Sequence, residues 1–225
     1  MRTVPTRAER RARTRTELVD AAERLFTAQG FHTTSLDSVA AEAGYTKGAV
    51  YSNFASKEDL FFAVYERRLE QRVAEFEGIL AAAPTALEGL HQAARTAAPR
   101  SERSDGWLAV FFEFWAHVLR HEELRERFAL LHSRIIDPLE AGLRRHADEV
   151  GQPLPEDPRK LATARYAMQL GLQLERLTQP ELVDPELGVR MLTVSIDGGS
   201  LDGLQDHAPS GLHKRRAREQ GPARA

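Results

Sequence analysis

Apolar residues recur at three- and four-residue intervals along almost the whole chain, and the alternation typical of strands is nearly absent. The pattern therefore predicts an all-α protein. The first helix is expected from about residue 13 to 29, with Gly30 as its stop. Thr34, Thr46 and Ser56 are predicted to cap the next three helices, because their hydroxyls can accept from first-turn amides. Further helices are expected near 85–97, 105–120, 122–148, 158–178 and 185–197, with Pro138 interrupting the third of these.

Two short predicted helices, joined by Gly44-Tyr45-Thr46, have the spacing of a helix-turn-helix motif. The second of them has only about two turns and carries Gly48 in its first turn, so it is unstable in isolation. Val50 and Phe54 are expected to anchor its inner face on a core made by neighbouring helices. In this motif the second helix enters the DNA major groove, and a glycine on its outer face permits close approach to the backbone. The core residues expected beneath it are Leu25, Phe26, Leu36, Val39 and Leu60.

A dense series of short motifs lies in residues 18–65, LVDAAERLFTAQGFHTTSLDSVAAEAGYTKGAVYSNFASKEDLFFAVY. It includes A-A-x-x-L-F-x-x-x-G-F, a T-T pair, V-A-x-x-A-G, K-G-x-x-Y-x-x-F and S-K-E-x-L, in this order. This stretch resembles the N-terminal DNA-binding domain of the TetR family of transcriptional regulators. The remainder of the chain fits that family in its helical pattern and length. Ser52-Asn53 stand where the family usually has Tyr-His, so the choice between these two side chains for DNA contact stays open.

The resemblance implies a set of DNA-contacting residues. Lys47 is the best candidate for a guanine edge, since lysine donates to guanine acceptors in the major groove. An alternative for Tyr51 is a place in the core, because it follows Val50 in an amphipathic stretch. For Lys57 the alternative is a solvated surface position. The resemblance assigns phosphate contacts to Thr33, Thr34, Ser35, Tyr51 and Lys57, and the major groove to Tyr45, Thr46, Lys47 and Gly48, with Ser52 and Asn53 beside them.

The charge distribution agrees with a polyanionic partner. The 225-residue chain has a net charge of -2, yet residues 1–15 carry six arginines against Glu9, and residues 211–225 carry five basic residues against Glu219. The absence of cysteine excludes disulfides and thiolate chemistry. Because no apolar run is long enough to span a membrane and no signal peptide follows the first arginines, we expect a cytoplasmic protein without a membrane partner.

We expect three regions along the chain. Residues 1–58 form a basic arm and a three-helix helix-turn-helix DNA-binding domain, residues 59–204 a helical ligand-binding and dimerisation domain, and residues 205–225 a disordered basic tail. Two half-sites in a pseudo-palindromic operator require a homodimer. Residues 158–178 and 185–197 are the candidate interface, which the resemblance equates with the four-helix bundle of the family's dimers. Alternatively, their apolar stripes are buried within one subunit.

The segment WLAVFFEFWAHVLRH places five aromatic rings on a wide apolar face. Such a face is typical of a bundle core, but the resemblance favours a cavity for a small hydrophobic or aromatic ligand. No cofactor is expected. The predicted lining comprises Phe76, Leu87, Leu90, Trp107, Phe111, Phe114, Trp115, Phe128, Leu131, Ile135, Met168 and Leu172.

The opposite face of this segment carries Glu113, His117 and His121 at intervals of four, a spacing that could hold a divalent metal. A solvated His121 beside acidic neighbours is commoner, so we predict no metal. An enzyme is also unexpected, since the sequence has no nucleophile elbow, phosphate-binding glycine loop or H-E-x-x-H motif. The predicted function is a homodimeric repressor that a ligand releases from its operator. Activation by ligand, or a regulator without a ligand, remains the alternative.

Overall fold

A computed structural model describes residues 6–96, 102–183 and 186–191, with the backbone alone for residues 102–105. This part of the chain is helical and contains no strand, which confirms the all-α prediction. The helices are α1 Arg7–Gln29, α2 Leu36–Ala43, α3 Lys47–Tyr51, α4 Lys57–Ala82, α5 Ala86–Thr96, α6 Glu102–Arg120, α7 Glu122–Ser133, α8 Ile136–Val150 and α9 Pro158–Thr178. One further helical turn lies at 187–191.

Helix α1 begins almost two turns earlier than the sequence pattern predicted. A capping box accounts for this early start: Thr6 Oγ1 accepts from Glu9 N at 3.2 Å, and Glu9 Oε2 accepts from Thr6 N at 2.6 Å. The predicted basic arm is therefore helical from Arg7 onward. The stops are as predicted, because Gly30 (φ 85°) and Gly44 (φ 72°) end α1 and α2 in positive-φ conformations that L-residues rarely adopt.

Helix α2 is capped by Ser35, so the prediction that Thr34 caps it is wrong. Ser35 Oγ accepts from Ser38 N at 3.0 Å, and Ser38 Oγ accepts from Ser35 N at 3.1 Å. Thr34 instead donates to Gly30 O at 2.8 Å and is buried. The caps predicted for α3 and α4, Thr46 and Ser56, are confirmed. Two hydroxyl residues in succession compete for one cap, and tertiary burial selects between them.

The predicted helix over 122–148 is two helices, interrupted as expected. Helix α7 ends at Ser133 and α8 begins at Ile136. Pro138 lies in the first turn of α8, where its missing amide leaves no intrahelical hydrogen bond unmade.

Helix α4 is the centre of the packing. It contacts α1 on the side of the helix-turn-helix and α5, α7 and α8 on the other side, while α6 packs on α1 and α9 packs on α8. Phe61 of α4 is fully buried and stacks on Phe114 of α6, with ring centroids 4.0 Å apart. Among the described helices, none combines the length and apolar character needed to span a bilayer.

Candidate DNA-binding surface and effector cavity

Helix α3 packs on the protein through its inner face. Val50 and Phe54 are fully buried, as predicted, while the opposite face of this five-residue helix is open. Lys47, Gly48 and Tyr51 all lie on the open face, and Tyr51 is 59% exposed. The alternative that placed Tyr51 in the core is therefore wrong. The arrangement leaves a short helix with an accessible outer surface, as major-groove recognition requires.

Lys47 and Lys57 have different surroundings. The Lys47 amine forms an exposed ion pair with Asp37 of α2, and this hydrogen bond raises the pKa of Lys47. Lys57 Nζ donates to His32 O at 3.1 Å and lies 4.5 Å from the ring centre of Phe31. Lys57 is thus bound to the α1–α2 loop and is not merely solvated, whereas Lys47 needs only to leave one exposed carboxylate to reach a base.

The other predicted DNA contacts divide by exposure. Thr33, Ser35, Thr46 and Ser52 are exposed near α2 and α3. The Thr34 hydroxyl is buried and bound to Gly30 O, so the structure corrects the prediction that this side chain contacts a phosphate.

Two predicted side chains are bound within the subunit. The Tyr45 hydroxyl donates to Glu17, and this bond is the main reason that the pKa of Glu17 is lowered. Asn53 Nδ2 donates to Ala49 O at 2.8 Å, which turns the amide back onto α3. Ser52 Oγ donates to the same carbonyl at 2.9 Å, so the two side chains differ in exposure alone: Ser52 is exposed and Asn53 is half-buried.

Two arginines that the sequence reasoning missed join α1 to the end of α3. Arg11 Nη2 donates to Ser52 O at 3.4 Å, and Arg15 Nη1 donates to Asn53 O at 3.0 Å. The Arg15 guanidinium also lies 4.3 Å from the ring centre of Phe54. Guanidinium groups at the carbonyl end of a helix are favourable. Because Arg11 and Arg15 are four residues apart, they lie on one face of a helix, so the sequence could have predicted that they act together if the basic segment had been predicted to be helical.

A cavity of about 390 Å³ lies between α4, α5, α6, α8 and α9. Its walls include five of the predicted lining residues, namely Phe76, Leu90, Trp107, Phe111 and Ile135. Phe114 is instead in the aromatic core against Phe61, and Trp115 and Phe128 pack on each other at 5.2 Å. The aromatic segment thus serves both the core and the cavity. The predicted residues outside the cavity walls are Leu87, Phe114, Trp115, Phe128, Leu131, Met168 and Leu172.

The cavity walls also carry polar groups that the sequence reasoning missed. Its apolar residues lie beside three arginines, a glutamate, two tyrosines and two glutamines. Two of them could have been predicted from helical periodicity, since Arg165 and Gln169 follow Leu161 at intervals of four and so lie on the same helix face. The polar residues of the walls are Tyr65, Arg68, Arg72, Glu75, Arg165, Tyr166, Gln169 and Gln173.

His132 lies beside the cavity wall as a half-buried base that is uncharged at neutral pH. Its Nδ1 is 2.9 Å from the Tyr65 hydroxyl, and burial lowers the pKa of His132 to about 4. In the unfolded chain this imidazole binds a proton near pH 6.5. The folded protein therefore loses stability as the pH falls from 6.5 towards 4, by about 3 kcal/mol from this group.

We expect His132→Gln to reduce the slope of the unfolding free energy against pH between 4 and 6.5 by the equivalent of about one bound proton. An unchanged slope in urea titrations would contradict this assignment.

Three side chains of α4 and α6, two of the helices that line the cavity, bind α1 or the α1–α2 loop: Arg67, Arg68 and Glu113. Arg68 lines the cavity, lies 4.4 Å from the ring centre of Trp107 and binds Glu23 of α1. Arg67 binds the same glutamate and Asp20. Helix α6, which contributes Trp107 to the cavity, also holds the α1–α2 loop through Glu113. A change in the cavity therefore has short physical routes to the helix-turn-helix.

Glu113 of α6 holds the loop at the end of α1 through two hydrogen bonds. Its Oε2 accepts from Phe31 N at 2.8 Å and its Oε1 accepts from His32 N at 2.9 Å.

The two histidines of the same face, His117 and His121, lie close together. His117 pairs with Glu58 at 3.5 Å, and its ring centre lies 4.1 Å from that of His121. Burial and the neighbouring His121 lower the pKa of His117. Within the described ranges, no three potential ligands converge as a metal site.

The candidate dimer helices are only partly described. In α9, Leu161 and Leu170 are buried within the subunit, whereas Leu174 is 42% exposed. Part of the predicted stripe thus serves the subunit's own core. Residues 192–197 and the predicted tail over 205–225 lie outside the described residues.

The short anchored helix, its open face and the surrounding helical domain define a helix-turn-helix transcriptional regulator. Residues 18–64 match the bacterial regulatory proteins of the tetR family, and residues 86–199 match the C-terminal domain of BetI-type transcriptional repressors. The chain therefore belongs to the TetR family of transcriptional regulators, as its N-terminal motifs predicted.

Individual proteins are similar to this chain in sequence or in structure. The HTH-type transcriptional regulator YfiR of Bacillus subtilis is 28% identical over 65% of this chain and 73% of its own length. The HTH-type transcriptional activator FasR of Mycolicibacterium smegmatis is 30% identical, but the match spans 46% of this chain and only 41% of FasR. The structure of SmeT, the repressor of the Stenotrophomonas maltophilia multidrug efflux pump SmeDEF, superposes with a TM-score of 0.61 and 28% identity over 81% of this chain and 89% of SmeT.

Proposed function

We propose that this protein is a cytoplasmic, homodimeric repressor that a small, largely apolar effector releases from a pseudo-palindromic operator. The observation that carries the proposal is the open face of α3, which presents Lys47 and Tyr51 while Val50 and Phe54 hold the helix from behind. In this proposal residues 1–58 bind DNA and residues 59–204 bind the effector and the second subunit. The likeness to SmeT supports repression, and the likeness to FasR, a transcriptional activator, supports activation of transcription as the second candidate.

The DNA contacts follow from exposure and chemistry. Lys47 reaches a guanine edge, and Thr33, Ser35 and Tyr51 hold phosphates, since these side chains are exposed around α2 and α3. A Cβ at Gly48 would meet no protein atom closer than Thr46 Oγ1 at 3.8 Å. Packing within the chain thus does not require a glycine there, which supports close approach by the sugar-phosphate backbone.

The second subunit is proposed to pack on α9 and the following segment. Exposed Leu174 supports this placement, because an outward leucine on a helix can be covered by a symmetric partner. Sedimentation equilibrium at micromolar concentration should give twice the 25.2 kDa subunit mass. A strictly monomeric mass would remove the homodimer from the proposal.

Release is proposed to be a shift between two arrangements of the dimer. An effector that binds better when α4 and α6 are displaced would move the helix-turn-helix through Arg68 and Glu113, and thus spread the two recognition helices. A coupling free energy of about 1 to 3 kcal/mol would lower DNA affinity about fivefold to 150-fold.

The decisive experiment measures binding to the intergenic DNA beside the protein's own gene by fluorescence anisotropy. We expect a specific complex whose affinity falls steeply with salt concentration, because phosphate contacts release counterions. A scrambled duplex of the same length and composition is the control. If no segment of the intergenic or neighbouring chromosomal DNA binds more tightly than its scrambled control, the proposed function is contradicted.

Glu113 gives a separate test of the connection between α6 and the DNA-binding domain. We expect Glu113→Ala to lower the free energy of unfolding by about 1 to 3 kcal/mol, because the partly buried Phe31 amide loses a charged acceptor. Hydrogen exchange at the Phe31 and His32 amides should accelerate at least about tenfold. Glu126→Ala, on the exposed surface of α7, is the matched control and should change neither quantity. Unchanged exchange in Glu113→Ala would show that this carboxylate does not hold the loop.

A further inference from the structure

The α9 wall of the cavity contains a buried guanidinium that has no counter-charge among the residues that the structure describes. Arg165 is only 6% exposed, and its Nε and Nη1 atoms are fully covered and make no hydrogen bond. No ion pair of Arg165 occurs within the part of the chain that the structure describes. Burial lowers its pKa to about 10, so the group still carries its positive charge at neutral pH.

The other arginines of the cavity have partners. Arg68 binds Glu23, and Arg72 Nη1 lies 3.2 Å from Glu75 Oε2 and 3.4 Å from Thr96 O. One turn beyond Arg165, the buried Oε1 atom of Gln169 also has no hydrogen-bond partner. The described cavity wall therefore has one unbalanced positive charge and, beside it, one unused acceptor.

Burying an unpaired charge is strongly unfavourable, and a counter-ion with good hydrogen-bond geometry offsets much of that cost. A guanidinium binds a carboxylate through two parallel hydrogen bonds. A carboxylate balances a single positive charge, whereas a phosphate monoester carries close to two negative charges at neutral pH. The rest of the wall, including Phe76, Leu90, Trp107 and Phe111, offers an apolar surface to the body of the molecule.

We propose that the effector is an amphipathic carboxylate whose acid group binds Arg165 and whose apolar body fills the space between Trp107, Phe111 and Phe76. A hydroxyl or amide donor near the acid would satisfy Gln169 Oε1. This inference rests on the proposed function, because it takes the cavity to be the effector site. It narrows the effector class from apolar compounds in general to apolar acids.

The test compares acids with their uncharged amides. The probes are 4-phenylbutyrate, hexanoate, octanoate and decanoate, each with its primary amide, and binding is measured by calorimetry on the full-length protein. We expect at least one acid to bind about ten- to 100-fold more tightly than its amide, since a charge-assisted pair is lost in the amide. Arg165→Met should abolish this preference and leave the affinity for the amide unchanged. Arg144→Met, on the exposed face of α8, is the matched control and should bind like the wild type.

The thermal stability of the unliganded variant provides a second readout. Arg165→Met should melt at or above the wild-type temperature, because an unpaired buried charge is removed. No preference for acids across the series, a preference that survives in Arg165→Met, or a marked loss of stability in that variant would each overturn the inference. If an amide alone binds and releases operator DNA, the acid assignment fails while the proposed function stands. Absence of specific DNA binding would instead refute the proposed function.

Discussion

Replacing Lys47 by alanine is expected to lower operator affinity about 30-fold or more, with no change in helix content or melting temperature. One base contact contributes about 1 to 3 kcal/mol of discrimination, and a dimer loses it in both half-sites. The fold should not change, because the Lys47 side chain is exposed and its only described ion pair is the exposed contact with Asp37. Anisotropy titrations at fixed salt, with wild-type and base-substituted duplexes, measure both affinity and lost discrimination.

Arg144 offers a control for the loss of one positive charge. Its side chain is 57% exposed, against 67% for Lys47, and it also pairs with a carboxylate, that of Glu140. Arg144→Ala removes one positive charge on α8, outside the helix-turn-helix and the candidate dimer interface, and should leave operator affinity within about twofold, as expected for a single surface charge away from the DNA contact. If Lys47→Ala and Arg144→Ala bind the operator equally well, α3 does not read DNA through Lys47.

The largest effect on stability is expected from Phe61→Ala, at about 3 to 5 kcal/mol of lost unfolding free energy. Phe61 is fully buried, and its ring lies 4.0 Å from Phe114, 5.2 Å from Phe26 and 5.6 Å from Trp107. The substitution would leave a cavity where α1, α4 and α6 meet, so the DNA-binding helices and the effector cavity lose a shared support. Urea unfolding at one fixed protein concentration measures the change.

Leu130→Ala is the control for an apolar truncation at the surface. Leu130 is 65% exposed on α7, so its removal should change the unfolding free energy by less than about 0.5 kcal/mol. A loss below about 1 kcal/mol for Phe61→Ala would mean that the aromatic cluster closes around the gap without cost, contrary to the close packing of the structure.

Local signals in the chain were sufficient for the helical class and the helix-turn-helix. Gly30 and Gly44 end helices by backbone conformation, Thr46 and Ser56 begin them by capping, and Val50 and Phe54 have the spacing of one buried face. These effects act within four residues, so the sequence itself contains them. The family motifs in residues 18–65 depend on the same short spacings.

Where two residues fit the same local role, or one helix face can pack in two ways, the folded structure was needed to choose. Thr34 and Ser35 are both plausible caps by local spacing, and the folded structure buries the Thr34 side chain and leaves Ser35 to cap α2. The aromatic stripe of α6 is wide enough to face two ways, and packing against α4 decides that Phe114 enters the core while Phe111 reaches the cavity. Periodicity identifies an apolar face but does not say what lies opposite it.

Local spacing predicted the helical class, the stops at Gly30 and Gly44 and the helix-turn-helix, because those features depend on neighbours three or four residues away, but it missed the early start of α1. The folded structure was needed to show that Glu113 holds the α1–α2 loop and that Arg165 is buried with no counter-charge among the described residues. Both depend on groups brought together from distant parts of the chain. The strength of a charge contact is set by burial and by the opposing group, and neither is encoded in local spacing.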